Sequence, residues 1–266
     1  MKILVLVKSV PDSTATIKVK DDGSGIDAKG LKMVMNPFCE FAVEAALRFK
    51  EQNAAAGAEI TALTVGPEDD VSVLRTAYAM GVDKAMHLCD NLFVGLDELT
   101  TARVIAAAVK NENYGVILAG KIAIDYDSGQ LGPALAELLG WPHVGAVTAI
   151  TWGADFKSAT VRRRVEGAEE VVEIKLPCLL TAEKGLGEAR YPSLPGLMKA
   201  KKKPVDTKNA AALGISAADL SRQAAATWMA EFAPPPPRPP GRTIKGEPAD
   251  AVKELLHILH DEEKIV

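Results

Sequence analysis

The sequence has few cysteines, little net charge and no long apolar run, and each shortage argues against a class of protein. Its three cysteines, Cys39, Cys89 and Cys178, lie far apart, which argues against a disulfide scaffold and against metal-ligand spacing. A formal net charge of -4 provides no general basic field for nucleic acid. The apolar run at residues 3–7 is too short to span a membrane, and we expect no signal peptide and no direct membrane insertion. These shortages favour a soluble, cytoplasmic protein.

Catalytic signatures are also missing. The chain contains no Ser/His/Asp order, no P-loop and no zinc signature. His257 and His260 form an i,i+3 pair without further ligands, so we interpret them as surface polar residues. The 266 residues are 48% hydrophobic and 25% charged, which is enough for one large domain and an accessory segment. We therefore expect no catalytic residue and no metal site.

Strand and helix patterns alternate through the first half of the chain. Short apolar runs predict strands over residues 3–7, 60–65, 85–89 and 116–119, and helical spacing predicts helices over 36–51, from 69, over 99–109 and from 131. This alternation indicates an α/β protein with a parallel sheet covered by helices on both faces. In such sheets, ligands bind beyond the carboxyl ends of the strands.

The pattern changes after residue 141. Alternating or β-branched residues over 147–152, 159–165 and 169–175 predict a small antiparallel excursion, and residues 179–181 are expected to return to the main sheet. The prolines at 234–237, 239 and 240 favour an extended C-terminal arm. A final amphipathic helix over 249–260 must dock on its own domain or on a partner.

Residues 118–133 predict a buried strand, a polar loop with a glycine, and then a helix. Asp127, Ser128 and Gly129 supply helix-start chemistry, and free amides at such a start favour a phosphate. Many strand-to-helix turns look like this without binding a ligand, so the loop alone is a weak signal for a nucleotide.

The segment Asn36-Pro37-Phe38-Cys39 has a structural and a functional interpretation. Asn at a helix N-cap and Pro at the first helical position are explained by structure alone. The Cys39 thiol, in the first turn, would have a depressed pKa and could be reactive. Because no general base is evident nearby in sequence, we favour contact over catalysis.

Five ordered segments together resemble the beta subunit of electron transfer flavoproteins (ETF) over nearly the full chain. They are residues 5–8, residues 35–40 with the following 42–47, and residues 75–83, 120–125 and 190–203. The resemblance implies a Rossmann-like, adenine-nucleotide alpha-hydrolase-like sheet. It also implies three parts: a nucleotide-binding domain over 1–190, a partner-recognition loop over 191–204, and a C-terminal arm and helix over 205–266 that pack on the alpha subunit.

The resemblance implies a heterodimer in which the ETF alpha subunit holds the redox-active FAD. The beta subunit shapes the FAD pocket and holds a second nucleotide, usually AMP. Its contacts match Leu6, Asn36, Pro37, Phe38, Cys39, Val65, Gly120, Lys121, Ile122, Ala123, Ile124, Asp125, Tyr126, Asp127, Ser128, Gly129, Gln130 and Leu131. Because the carboxylates of Asp125 and Asp127 would repel phosphate, we assign them to ribose hydroxyls, to amide capping or to a counter-charge at Lys121.

The recognition loop implied by the resemblance would bind an acyl-CoA dehydrogenase. Its candidate contacts are Tyr191, Leu194, Pro195, Leu197, Met198 and Lys199. An exposed leucine beside two prolines fits a hydrophobic anchor that fills a pocket on the partner. Electrons would then pass towards an ETF-quinone oxidoreductase, and the subunit itself would break no bonds.

The nucleotide of the beta site has two alternatives. Residues 10–12 and 129–133 look like the electron-bifurcating members, which bind a second FAD there and oxidise NADH. The segments at 36–39 and 141–143 look like the AMP-containing carriers. A third alternative, a nucleotide-binding protein without a partner, would leave the recognition loop without a use.

Overall fold

A computed structural model describes residues 1–238 and 240–265, so Pro239 of the predicted arm and Val266 lie outside the described residues. The chain divides into two compact units. The larger contains Met1–Ile17 and Asp27–Ala230, and the smaller contains Lys18–Ile26 and Glu231–Val266. The candidate site residues all belong to the larger unit.

Nine strands form the main sheet of the larger unit, in the order β11-β5-β4-β1-β6-β10-β7-β8-β9. All neighbours pair in parallel from β11 to β7, whereas β7, β8 and β9 are antiparallel. A separate antiparallel pair joins β2 to β3. The strands are β1 Lys2–Leu6, β2 Ser9–Pro11, β3 Met33–Met35, β4 Glu59–Val65, β5 Lys84–Leu88, β6 Val116–Gly120, β7 His143–Trp152, β8 Ser158–Val165, β9 Ala168–Lys175, β10 Cys178–Ala182 and β11 Asp206–Lys208.

Helices cover both faces of this sheet, because alternate strand residues point to opposite sides. Ile3 and Val5 of β1 belong to one core, which includes residues of α1 and α2. Leu4 and Leu6 belong to the other, which includes residues of α3 and α4. The helices are α1 Pro37–Gln52, α2 Val71–Met80, α3 Glu98–Val109, α4 Leu131–Leu139, α5 Leu194–Ala200 and, in the smaller unit, α6 Pro248–His257.

The structure confirms the α/β class, the helices on both faces, the antiparallel excursion and the return of β10 to the sheet. It adds three strands that the sequence pattern did not predict: the separate pair β2 and β3, and β11 in the main sheet. β11 pairs in parallel with β5 at the edge of the sheet, so the chain beyond residue 205 first completes the main sheet.

The smaller unit contains an antiparallel bridge between Val19 and Ile26. Its helix α6 continues into one π-helical turn, Ile258–Glu262. Three apolar side chains of α6, those of Val252, Leu255 and Leu256, are exposed. Within residues 1–238 and 240–265, no helix is long and apolar enough to cross a membrane.

Candidate functional site

Three of the predicted contact residues meet at one edge of the sheet. β4, β1 and β6 are neighbours and run in parallel, so their carboxyl ends lie side by side. These ends are Val65, Leu6 and Gly120. The edge is therefore the ligand-binding edge expected for a parallel sheet, and the residues after Gly120 form a loop beyond it.

Asn36 connects this loop to the first turn of α1. The fully buried side chain donates from Nδ2 to the carbonyl oxygen of Ile122 (2.8 Å) and accepts at Oδ1 from the amide of Ile124 (3.2 Å). Asn36 occupies the N-cap of α1 and Pro37 its first position, as predicted, but the Asn36 side chain makes no capping bond to the helix. The amide group instead fixes the backbone of residues 122–124, because it satisfies one acceptor and one donor there.

The Cys39 thiol is buried beneath the same turn and lies 3.2 Å from Asn36 Nδ2. Burial raises its pKa, and the hydrogen bond from Asn36 offsets this only in part. The alternative of a reactive thiol with a depressed pKa is therefore wrong. Cys39 packs in the core below the candidate site.

Two lysines at the carboxyl edge are paired with carboxylates. Lys8 Nζ lies 2.7 Å from Asp125 Oδ2 and 4.6 Å from the centre of the Tyr126 ring. Lys121 is paired with Glu183, so the counter-charge of Asp125 is Lys8 rather than Lys121. Burial raises the pKa of Glu183, but the hydrogen bonds from Lys121 and from the amide of Lys184, together with the nearby positive charges, outweigh it, so the pKa lies below its usual range. The edge thus carries two charge-balanced pairs, one of which contains the buried Glu183 carboxylate.

The loop ends at the N-terminus of α4, where neither Asp127 nor Ser128 caps the helix. Gln130 occupies the N-cap without a side-chain bond, and its amide donates to Glu98 Oε2 (2.7 Å). Gly129 has φ +65° and Gln130 has φ -89°, and successive residues of opposite hand form an amide concavity that suits an anion. Among the described residues, the amides of Ser128 and Gly129 meet no acceptor in hydrogen-bonding geometry.

Lys8, Glu98 and Glu183 are residues of this site that our sequence reasoning missed. Glu183 follows β10 directly, and Lys8 lies two residues after β1. Their position beyond a strand end was a usable signal for both. Glu98 gave no such signal, because it reaches Gln130 from the first turn of α3.

The predicted partner contacts lie on and before the short helix α5. Tyr191 is 96% exposed, Leu194 80% and Met198 66%. Ser193 caps the helix, since its Oγ accepts from the amide of Gly196 (3.1 Å). Pro195, Leu197 and Lys199 are also exposed. Four of these residues form an exposed apolar face, which we call the α5 face: Tyr191, Leu194, Leu197 and Met198.

Comparison with known proteins gives a consistent result along the chain. The family model described as "Electron transfer flavoprotein domain" matches residues 24–213. The mitochondrial electron transfer flavoprotein subunit beta of Arabidopsis thaliana is 38% identical over 268 residues, which cover 100% of both chains. The electron transfer flavoprotein subunit beta of Bacillus subtilis (strain 168) is 38% identical over 277 residues, again 100% of both. That of Mus musculus is 38% identical over 247 residues, 92% of this chain and 93% of the relative.

The family model spans more than half of this chain, and these relatives match it along nearly their whole length. The α/β sheet agrees with the fold expected from the sequence. The chain therefore belongs to the family of electron transfer flavoprotein beta subunits.

Proposed function

We propose that this chain pairs with an ETF alpha subunit, shapes the FAD pocket of that subunit and binds AMP at its own sheet edge. In this role it carries electrons from acyl-CoA dehydrogenases towards an ETF-quinone oxidoreductase and breaks no bonds itself. The observation that carries the proposal is the meeting of Leu6, Val65 and Gly120 beneath a loop held by Asn36.

The chemistry of this edge suits an adenine nucleotide. Leu6, which is buried, and Val65, which is half-buried, end their strands at this edge, where backbone groups can recognise the edge of a base. The amides of Ser128 and Gly129 have no acceptor among the described residues and suit a phosphate. Because the amide of Gln130 already donates to Glu98, a phosphate would accept hydrogen bonds from the amides of the two preceding residues, Ser128 and Gly129. The carboxylate of Asp125 is held by Lys8, so its charge opposes a phosphate less.

We expect the purified heterodimer to release one FAD and one AMP. The measurement is chromatography of the nucleotides freed when the complex, coexpressed with its alpha subunit, is denatured. The alternative is an electron-bifurcating complex, favoured by the resemblance at residues 10–12, which would release two FAD and no AMP. Reduction of its flavin by NADH would support that alternative. A chain that purifies alone and without flavin would instead favour a partnerless nucleotide-binding protein.

Leu194→Ala is expected to weaken binding to an acyl-CoA dehydrogenase by about tenfold or more. Leu194 is 80% exposed at the first position of α5, so alanine removes an anchor without opening a cavity in this chain. FAD and AMP content should stay unchanged, because the sheet edge is not involved. The measurement is the KM for the dehydrogenase during flavin reduction by acyl-CoA.

Val171→Ala on β9 is a matched control for this variant, since Val171 is also an exposed apolar residue, at 65%, but lies outside the α5 face. An unchanged KM in Leu194→Ala would contradict the docking role. Loss of FAD would show instead that the residue has a structural role.

We place the heterodimer in the cytoplasm, where the free thiols Cys39, Cys89 and Cys178 would stay reduced.

A further inference from the structure

Residues 75–83 belong neither to the candidate site at the sheet edge nor to the α5 face. They cover the second half of α2 and the turn that follows it. In the structure, their side chains and carbonyl groups contact residues 196–204, which contain most of α5 and the chain that leaves it. We call residues 75–83 the α5 seat.

Arg75 holds the C-terminal end of α5. Its Nη1 donates to the carbonyl oxygen of Ala200 (2.8 Å) and to that of Lys203. The last carbonyl groups of a helix have no partner within the helix and carry its negative dipole end, so a guanidinium is a favourable partner there. One side chain therefore closes the end of α5 and fixes the following turn.

The underside of α5 fits closely on the seat. A Cβ on Gly196 would lie 2.8 Å from the carbonyl oxygen of Ala79, so only glycine allows this approach. Ala200, four residues later on the same side, is 1% exposed. The opposite side carries Leu194 and Met198, which are also four residues apart. The contact with the seat thus decides that the apolar side faces outward.

Two further contacts hold the chain after the helix. Tyr78 Oη donates to the carbonyl oxygen of Pro204 (2.6 Å). Lys203 Nζ donates to the carbonyl oxygen of Val82 (3.1 Å) and lies 4.6 Å from the centre of the Tyr78 ring. Since a helix of seven residues is too short to be stable alone, its orientation depends on these tertiary contacts.

We propose that Arg75 is a positioning residue for partner docking: it presents the α5 face, already ordered, to a protein with an apolar pocket and an acidic rim. The acidic rim follows from Lys199, Lys201 and Lys202, which are exposed beside the face and have no carboxylate within 4.0 Å in the described part of the chain. A pre-ordered face loses less conformational entropy on binding. This inference rests on the docking role proposed above.

The test uses Arg75→Gln in the complete heterodimer with its alpha subunit. Arg103→Gln is the matched control, because Arg103 Nη1 also donates to a backbone carbonyl oxygen, that of Ala224 (3.4 Å), but lies away from α5. Two quantities are measured: amide hydrogen exchange of residues 197–203, and the KM for a purified medium-chain acyl-CoA dehydrogenase. Arg75→Gln should speed the exchange by about tenfold or more and raise the KM by about fivefold or more.

In Arg75→Gln, kcat at saturating dehydrogenase and the content of FAD and AMP should not change, and Arg103→Gln should alter neither measured quantity. Arg75→Lys, which retains one charged donor, should give intermediate values for both, and it also serves as the test if Arg75→Gln does not fold. If amide exchange is unchanged in both Arg75 variants, Arg75 does not order α5, and the proposal is overturned. The positioning role would be overturned if the Arg75 variants exchange faster without a change in KM, while Leu194→Ala does raise the KM. If Leu194→Ala leaves the KM unchanged as well, the docking role proposed for the α5 face fails instead.

Discussion

Gly120→Ala should lower the free energy of unfolding by about 2 kcal/mol and reduce the AMP content of the heterodimer. A Cβ at this position would lie 2.8 Å from Phe38 Cβ, 3.0 Å from the Phe38 carbonyl carbon and 3.1 Å from Asn36 Nδ2. These atoms belong to the start of α1, whose backbone cannot move aside as a flexible side chain could. The strand end or the helix must therefore shift, and the Asn36 bonds to the loop shift with it.

Urea denaturation and nucleotide release would measure these two effects in Gly120→Ala. In thermal denaturation, the same loss of stability should lower the melting temperature of Gly120→Ala by an amount on the order of 5 °C. Gly241→Ala is the control, since a Cβ there meets nothing within 4 Å and the glycine has no positive φ. Replacing such a glycine by alanine is neutral or slightly stabilising. If the two variants unfold at the same urea concentration and Gly120→Ala keeps its AMP, the close packing at Gly120 has no role in the site.

Arg190→Gln should lower the free energy of unfolding by about 2 kcal/mol at pH 7. The Glu44 side chain, only 4% exposed on α1, accepts from Arg190 Nε (2.8 Å) and Nη2 (3.0 Å) and from Arg48 Nε (2.9 Å). Arg190 also pairs with Glu51. Arg190→Gln leaves the buried carboxylate with Arg48 and the amide of residue 190 as partners. The expected effect is below that of a fully buried ion pair, because the Arg190 side chain is one-third exposed to solvent.

The same ion pairs make the effect depend on pH. Burial raises the pKa of Glu44, but the hydrogen bonds from Arg190 and Arg48 outweigh it, so the folded pKa lies below its usual range. A carboxyl group with a lowered folded pKa stabilises the protein above its unfolded pKa, about 4.3. This contribution is lost as the pH falls through the folded value. The difference between wild type and Arg190→Gln should therefore be largest at neutral pH and shrink in acid.

Urea denaturation at pH 7 and pH 3 checks this prediction. Arg163→Gln is a suitable control, because Arg163 forms an ion pair with Glu170 (3.3 Å) whose carboxylate is about half exposed. Such a pair contributes about 0.5 kcal/mol or less. An Arg190→Gln effect of the same size at both pH values would show that the packing of the side chain matters, and not the charge on Glu44.

The main sheet shows which strands can be predicted from the apolar pattern of the sequence alone. The predicted strand over residues 116–119 and the observed β6, Val116–Gly120, differ by one residue. A buried parallel strand must be apolar on both faces, and that requirement is visible in contiguous residues. β11 escaped prediction because Asp206–Lys208 is short and polar, and it becomes a strand only by pairing with the edge of β5.

The candidate site shows the same division. The position of the loop at the carboxyl edge follows from the order of strands and helices in the sequence. The roles of individual side chains do not follow, as Asn36 shows: it occupies the predicted N-cap of α1, yet its side chain bonds to Ile122 and Ile124 and not to the helix. A capping bond would have been local, whereas these bonds join residues 86 and 88 positions apart.

By itself, the sequence determined the α/β class, the helices on both faces, the antiparallel excursion and the family resemblance. All of these are recorded in local apolar periodicity and in ordered motifs. Only the tertiary structure decided that Lys8 rather than Lys121 neutralises Asp125, and that residues 75–83 support α5. The physical reason is that such contacts join segments more than 100 positions apart, and their geometry depends on how the whole sheet places those segments.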